Sequence, residues 1–261
     1  MAESTVGHAP LDLAARDALA ELLLSVADDE FVIGFWDSEW TGIAPMLEED
    51  VATSSIAQDE IGHAKALYEL LAELTDDDAD RIAYGRVAED FRHAALLNHA
   101  RGDWAFSAAR RYLYETADAV RLSTLAASSY EPLAMLAGKM RREETYHLLH
   151  ADAWLRRLAA GPAEARERLA SAVEALWTDA QEIFAPLDGE PALVAAGLLA
   201  QPMATMHADW QSQVRRTLEP IAGPLPSATP SPDGRRRRTD SFAWLHAELT
   251  SVASSEPAAT W

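Results

Sequence analysis

Two tetrapeptides, Glu60-Ile-Gly-His63 and Glu144-Thr-Tyr-His147, each set a carboxylate and an imidazole one turn apart on the same face of a helix. That is half of a dimetal site, and the chain contains it twice. A lone glutamate precedes each half at nearly the same interval, Glu30 by 30 residues and Glu115 by 29. Helices carrying Glu, Glu-x-x-His, Glu and Glu-x-x-His in that order build a carboxylate-bridged di-iron or di-manganese centre inside a bundle. The candidate ligands are therefore Glu30, Glu60, His63, Glu115, Glu144 and His147, with Glu60 and Glu144 as the expected bridges.

Any one Glu-x-x-His pair is more simply read as a hydrogen-bonded pair that stiffens a bundle. The repeat argues for more: Glu30 to Glu115 is 85 residues, Glu60 to Glu144 is 84, and each member sits on an apolar helical stripe. Four buried carboxylates with two imidazoles need a cation to coexist. Asp118, one turn beyond Glu115, could replace it as ligand or stand behind it. Asp29, Asp37 and Glu39 fit the interval or the stripe less well than Glu30. Asp59 and Glu143 each precede a ligand glutamate, where they could accept the ring N–H of a ligand histidine and fix its tautomer. Either could equally be a solvated acid. His93, His99, His150, His207 and His246 are read as surface or satisfied core residues, and Trp36, Trp40, Trp104, Trp154, Trp177 and Trp210 as packing.

These residues need helices to carry them, and the chain reads as helix after helix, with Pro and Gly mostly at the joints. The pattern predicts bundle helices over about 11–37, from Pro45 to about 74, over 104–128, and from Pro132 to about 160. A connecting helix is expected around 81–99, further helices at 163–184 and 202–219, and a short one near 242–249. Residues 1–223 are expected to form the helical domain and 224–261 a Pro- and Arg-rich extension. The 261 residues, 49% hydrophobic, suffice for one sizeable core.

Composition narrows the chemistry. The absence of cysteine excludes disulfides, thiolate ligands, iron-sulfur clusters and thiol nucleophiles, so any metal sits on oxygen and nitrogen. A formal charge of −20 makes nucleic acid and anionic membranes improbable partners. The basic run Arg235–Arg238 reads as a solvated loop, or as a dock for an acidic partner or a ligand's phosphates. No apolar run reaches membrane-spanning length, and Met1 to His8 lacks the pattern of a secretory signal, so a cytoplasmic location is expected.

The helix order, the Ser-Glu-Trp-Thr-Gly-Ile-Ala-Pro turn at 38–45, the Tyr146-His147 element and the extension ending in Trp261 resemble the PaaC-type subunits of bacterial phenylacetyl-CoA ring 1,2-epoxidases. The resemblance covers nearly the whole chain. It implies an all-α, ferritin-like four-helix bundle with additional C-terminal helices, working within a hetero-oligomeric di-iron monooxygenase of phenylacetate catabolism. The implied partners are a PaaA-like ferritin-like subunit, a small assembly subunit and a flavin/iron-sulfur reductase that takes electrons from NADPH; the implied substrate is an acyl-CoA. Subunits of this type are regarded as scaffolds with a degenerate metal site, and the complete set of six ligands departs from that picture.

Two iron ions bridged by Glu60 and Glu144 would bind dioxygen and support epoxidation of an aromatic ring. Iron is preferred to manganese by the resemblance; the ligands suit either. A ferritin-like iron-oxidising protein would use the same six residues, and a non-catalytic structural partner would keep them as a vestige. A radical-generating reductase subunit fits less well, because such proteins resemble one another in a tyrosine two turns beyond the first motif glutamate, where this chain has Leu67.

Overall fold

The structure, a computed structural model, describes residues 11–256. Trp261, with the rest of 257–261, and the Met1 to His8 stretch lie outside the described residues. Among the described residues the chain is α-helical and contains no strand: α1 (Leu13–Ser38), α2 (Leu47–Thr75), α3 (Ala79–Tyr84), α4 (Trp104–Leu125), α5 (Glu131–Ala159), α6 (Ala163–Ala180), α7 (Glu190–Ala195), α8 (Met203–Ala222) and α9 (Asp240–Ser255). No helix of the described residues is long and apolar enough to cross a membrane.

The four long helices of the bundle form two pairs, α1 along α2 and α4 along α5. The first helix of each pair starts on a carboxylate cap, Asp12 accepting from the Ala15 N–H at 2.7 Å and Asp103 from the Phe106 N–H at 2.9 Å. Pro132 sits in the first turn of α5. The expected start of α2 at Pro45 falls two residues later, at Leu47 after the extended Met46. Asp76, in the left-handed conformation at φ 58°, ends α2.

Beyond its first turns helix α1 is buried nearly all round, the acids Asp28, Asp29, Glu30 and Asp37 included. It approaches α2 closely at Gly34, where a Cβ would lie 2.9 Å from Ile61 Cγ1 and 3.0 Å from Glu60 Cβ. That contact, one turn beyond Glu30, brings α1 against the α2 face that carries Glu60.

The connecting helix expected over 81–99 is not formed. Helix α3 ends at Gly85, two 3₁₀ turns follow at Ala88–Asp90 and Ala95–Asn98, and the chain between them is extended. The cause is long-range: the backbone N–H groups of Arg92 and Ala94 donate to the buried carboxylates of Asp28 (2.5 Å) and Asp29 (2.7 Å) on α1. Those bonds replace the ones a helix would have made.

Residues 224–256 close over the bundle. Phe242, Leu245 and Leu249 of α9 join the core, and Trp244 stacks on Trp36 with ring centroids 6.1 Å apart. Arg235 is buried. Its guanidinium pairs with Asp29 at 2.9 and 3.0 Å and donates to the carbonyls of Ile183 (2.7 Å) and Arg92 (2.9 Å). The basic run thus meets acids of its own chain, with Arg236 on Asp188 and Arg237 on Asp179 as well.

Candidate metal centre

Glu30 on α1, Glu60 and His63 on α2, Glu115 on α4, and Glu144 and His147 on α5 are all buried and converge between the four helices. Their donor atoms form two overlapping groups: Glu30, Glu60, His63 and Glu144, and Glu60, Glu115, Glu144 and His147, with the atoms of each group within 4.8 Å of one another. Glu60 and Glu144 belong to both groups, a position from which two carboxylates could bridge. Asp118 does not join them; Arg121 takes its Oδ1, through Nε at 2.7 Å.

Both imidazoles turn Nδ1 inward. His63 Nδ1 lies 3.1 Å from Glu144 Oε1 and 3.4 Å from Glu30 Oε2; His147 Nδ1 lies 3.2 Å from Glu144 Oε1 and 3.3 Å from Glu60 Oε1. Nε2 of each ring points away and meets a carboxylate, Glu143 at 2.8 Å from His63 and Asp59 at 3.3 Å from His147. The outer contacts leave Nδ1 as the nitrogen available to a metal.

The residues present fit a metal. Glu30 Oε2, Glu60 Oε2, Glu115 Oε2, both oxygens of Glu144, and Nδ1 of both histidines are buried without a hydrogen-bond partner, and Glu115 Oε1 has only its ion pair with Arg111. Buried polar atoms are nearly always satisfied, so this many donors facing one place form a cluster that could hold a cation.

Without a cation the charges conflict, and protons resolve the conflict. Burial, with the charges of Glu60 and Asp118, pushes the Glu30 carboxyl well up. Burial also raises Glu115, reinforced by Glu144 and Glu60 against the pull of Arg111. For Glu60, burial is outweighed by Arg111 and the two imidazoles, which hold it well below the usual range. Burial and Glu60 act upward on Glu144, yet His147, His63 and Glu115 bring it down to about 2. Burial disfavours charge on His147, but Glu144 and Glu60 raise it to about 10; His63 is raised in the same way by Glu144, Glu30 and Glu60.

Several residues around the cluster were not foreseen. Arg111 Nη1 lies 2.8 Å from both Glu60 Oε1 and Asp37 Oδ2, and Nη2 lies 2.9 Å from Glu115 Oε1. The Tyr114 hydroxyl donates to Glu30 Oε1 at 2.7 Å, and Arg121 bridges Asp118, Asp29 and, at 3.4 Å, Glu30. A signal was available: Arg111 precedes Glu115 by four residues and so shares its helix face. Among the described residues the other histidines have partners away from the cluster: Nε2 of His93 meets Asn98 while its Nδ1 has none, His207 meets Gln181 and His150 meets Glu49.

Fold and site together define an all-α, ferritin-like bundle with an internal carboxylate and histidine cluster that could hold a metal. The chain matches the family described as "Phenylacetic acid catabolic protein" over residues 6–261, and it belongs to that family. It is 29% identical over 231 residues to the C-type subunit of the 1,2-phenylacetyl-CoA epoxidase of Escherichia coli (strain K12), covering 88% of this chain and 90% of the relative. It is also 26% identical over 178 residues to the A-type subunit of the same epoxidase, covering 67% of this chain and 56% of that relative. The chain is thus homologous to two different components of one multi-subunit oxygenase.

Proposed function

We propose that this chain is the PaaC-like subunit of a phenylacetyl-CoA epoxidase complex and that it holds its own pair of metal ions, preferably iron, with manganese the alternative. The observation that carries the reading is the convergence of orphaned donors from Glu30, Glu60, His63, Glu115, Glu144 and His147. Glu60 and Glu144 would bridge; Glu30 with His63, and Glu115 with His147, would complete the two positions. Bound there, redox-active divalent ions supply oxygen activation. The chain's own residues do the rest: Glu143 and Asp59 hold the histidine tautomers, Tyr114 and Arg121 fix the outer oxygen of Glu30, and the apolar core excludes water. Electrons would come from NADPH through a separate flavin/iron-sulfur reductase, and a small assembly subunit would complete a cytoplasmic hetero-oligomer.

A second reading, the non-catalytic partner, is favoured by one observation. The cavity beside the cluster, lined by Asp37, Trp40, Trp104, Arg111 and Trp154, measures about 20 Å³. That is room for one water, whereas a cavity of about 150 Å³ accommodates benzene. A cleft of about 980 Å³ on the outer side of α2 is rimmed by Glu69, Asp78, Asp80 and Glu248 against Lys65, a balance that repels the phosphates of an acyl-CoA. The acyl-CoA is therefore assigned to the PaaA-like subunit.

Reconstitution tests both readings. The chain alone should be inactive with NADPH and phenylacetyl-CoA, and turnover should appear when a PaaA-like subunit and reductase are added. In that complex, Glu60→Ala that assembles but loses turnover makes this centre a working part; full turnover makes the chain a scaffold. No turnover from the complete wild-type complex would refute the assignment to the epoxidase.

A further inference from the structure

The two metal positions are built unequally. On the His63 side the converging atoms are Nδ1 and three oxygens, Glu144 Oε1 at 3.1 Å, Glu30 Oε2 at 3.4 Å and Glu60 Oε2 at 3.7 Å, and none of the four has a hydrogen-bond partner. Guanidiniums reach this group only through its outer oxygens: Arg121 lies 3.4 Å from Glu30 Oε1, which the Tyr114 hydroxyl also holds, and Arg111 lies on Glu60 Oε1 rather than Oε2. On the His147 side a cation is already present. Arg111 donates to Glu60 Oε1, the oxygen that faces His147 Nδ1 at 3.3 Å, and its other amino group lies on Glu115. Asp37 anchors the guanidinium from behind, and the whole side chain is buried.

Resting on the dimetal reading, we infer that Arg111 makes the pair unequal: the His63 position takes a divalent cation tightly, and the guanidinium holds the His147 position against a second one. A second ion must displace the guanidinium from Glu60 and Glu115 and then bear its repulsion in a buried setting where charges are weakly screened. Breaking two charge-assisted contacts weakens that ion by about 100-fold relative to the first. The cluster is therefore a one-ion site at low metal and a two-ion site only at saturation.

The test uses the full chain stripped by a chelator and titrated with Mn(II) alone, followed by calorimetry and by electron paramagnetic resonance, which separates isolated from coupled manganese. Wild type should bind one ion tightly, with an isolated-ion spectrum, and a second about 100-fold more weakly, as coupling appears. Arg111→Gln should tighten the second ion and leave the first in place. Should that variant fail to fold, two others decide: Glu115→Gln should spare the tight ion, and Glu30→Gln should remove it. Two ions of equal affinity in wild type, or loss of the tight ion in Glu115→Gln but not in Glu30→Gln, would overturn the inference while leaving the dimetal reading intact. No binding in wild type or in Arg111→Gln would overturn both.

Discussion

Nε2 of His63 lies 2.8 Å from Oε2 of Glu143, the residue immediately before Glu144 of the other motif. The reciprocal contact joins His147 to Asp59, immediately before Glu60, at 3.3 Å. Each half of the centre therefore has its imidazole oriented by the helix that carries the other half, and α2 and α5 are tied together across the cluster.

Removing those outer acceptors should weaken the metal without removing a ligand. Glu143→Ala and Asp59→Ala are each expected to lower metal affinity by about 10- to 100-fold. Calorimetric titration checks this; unchanged affinity in both variants would show that the outer contacts do not orient the ligands.

Gly34 is a point of close approach between α1 and α2. Gly34→Ala places a methyl 2.9 Å from Ile61 and 3.0 Å from Glu60, so the helices must part. The expected cost is about 1–3 kcal/mol, read in denaturant unfolding, together with weaker metal binding because Glu60 moves. Wild-type stability would mean that the α1–α2 spacing is not a constraint on the site.

The clasp between the C-terminal segment and α1 depends on Arg235. Arg235→Ala leaves Asp29 with Arg121 as its only guanidinium and frees the carbonyls of Ile183 and Arg92. A loss of about 3 kcal/mol is expected, in the range for breaking a buried pair. A solvated-loop arginine would cost almost nothing.

In the metal-free chain, stability should fall as pH rises. His147, raised from 6.5 to about 10 in the fold, contributes stability that is fully present below about pH 6.5 and lost through about pH 10. His63 is shifted in the same direction. A metal must displace these protons, so metal affinity should rise over the same window and loading should release protons. Thermal melts and proton release at several pH values measure both; a metal-free melting point that rises from pH 6.5 to 10 would contradict the assigned protonation.

Much of this was legible in the sequence because the informative signal was periodic. Helices α1, α2, α4 and α5 follow from long apolar stripes, and the six donors interrupt those stripes at helical spacing. The failures share one cause. The segment 86–99 leaves the helical path because Asp28 and Asp29, more than 60 residues away, bind its backbone. Arg235 is buried for the sake of Asp29, 206 residues distant. Arg111 and Arg121 interrupt the α4 stripe just as the acids do, but a search for ligands looks for anions and passes over cations on the same face.

The buried cluster is expected to hold metal. The most direct measurement of this is the metal content of the chain purified after iron supplementation and saturated anaerobically with Fe(II), beside Glu60→Ala and Glu144→Ala. Two ions per wild-type chain are expected at saturation, with at least one lost in each variant and a thermal midpoint that falls on chelation. Undiminished metal in both variants, or a melting curve unmoved by chelator, would contradict the account.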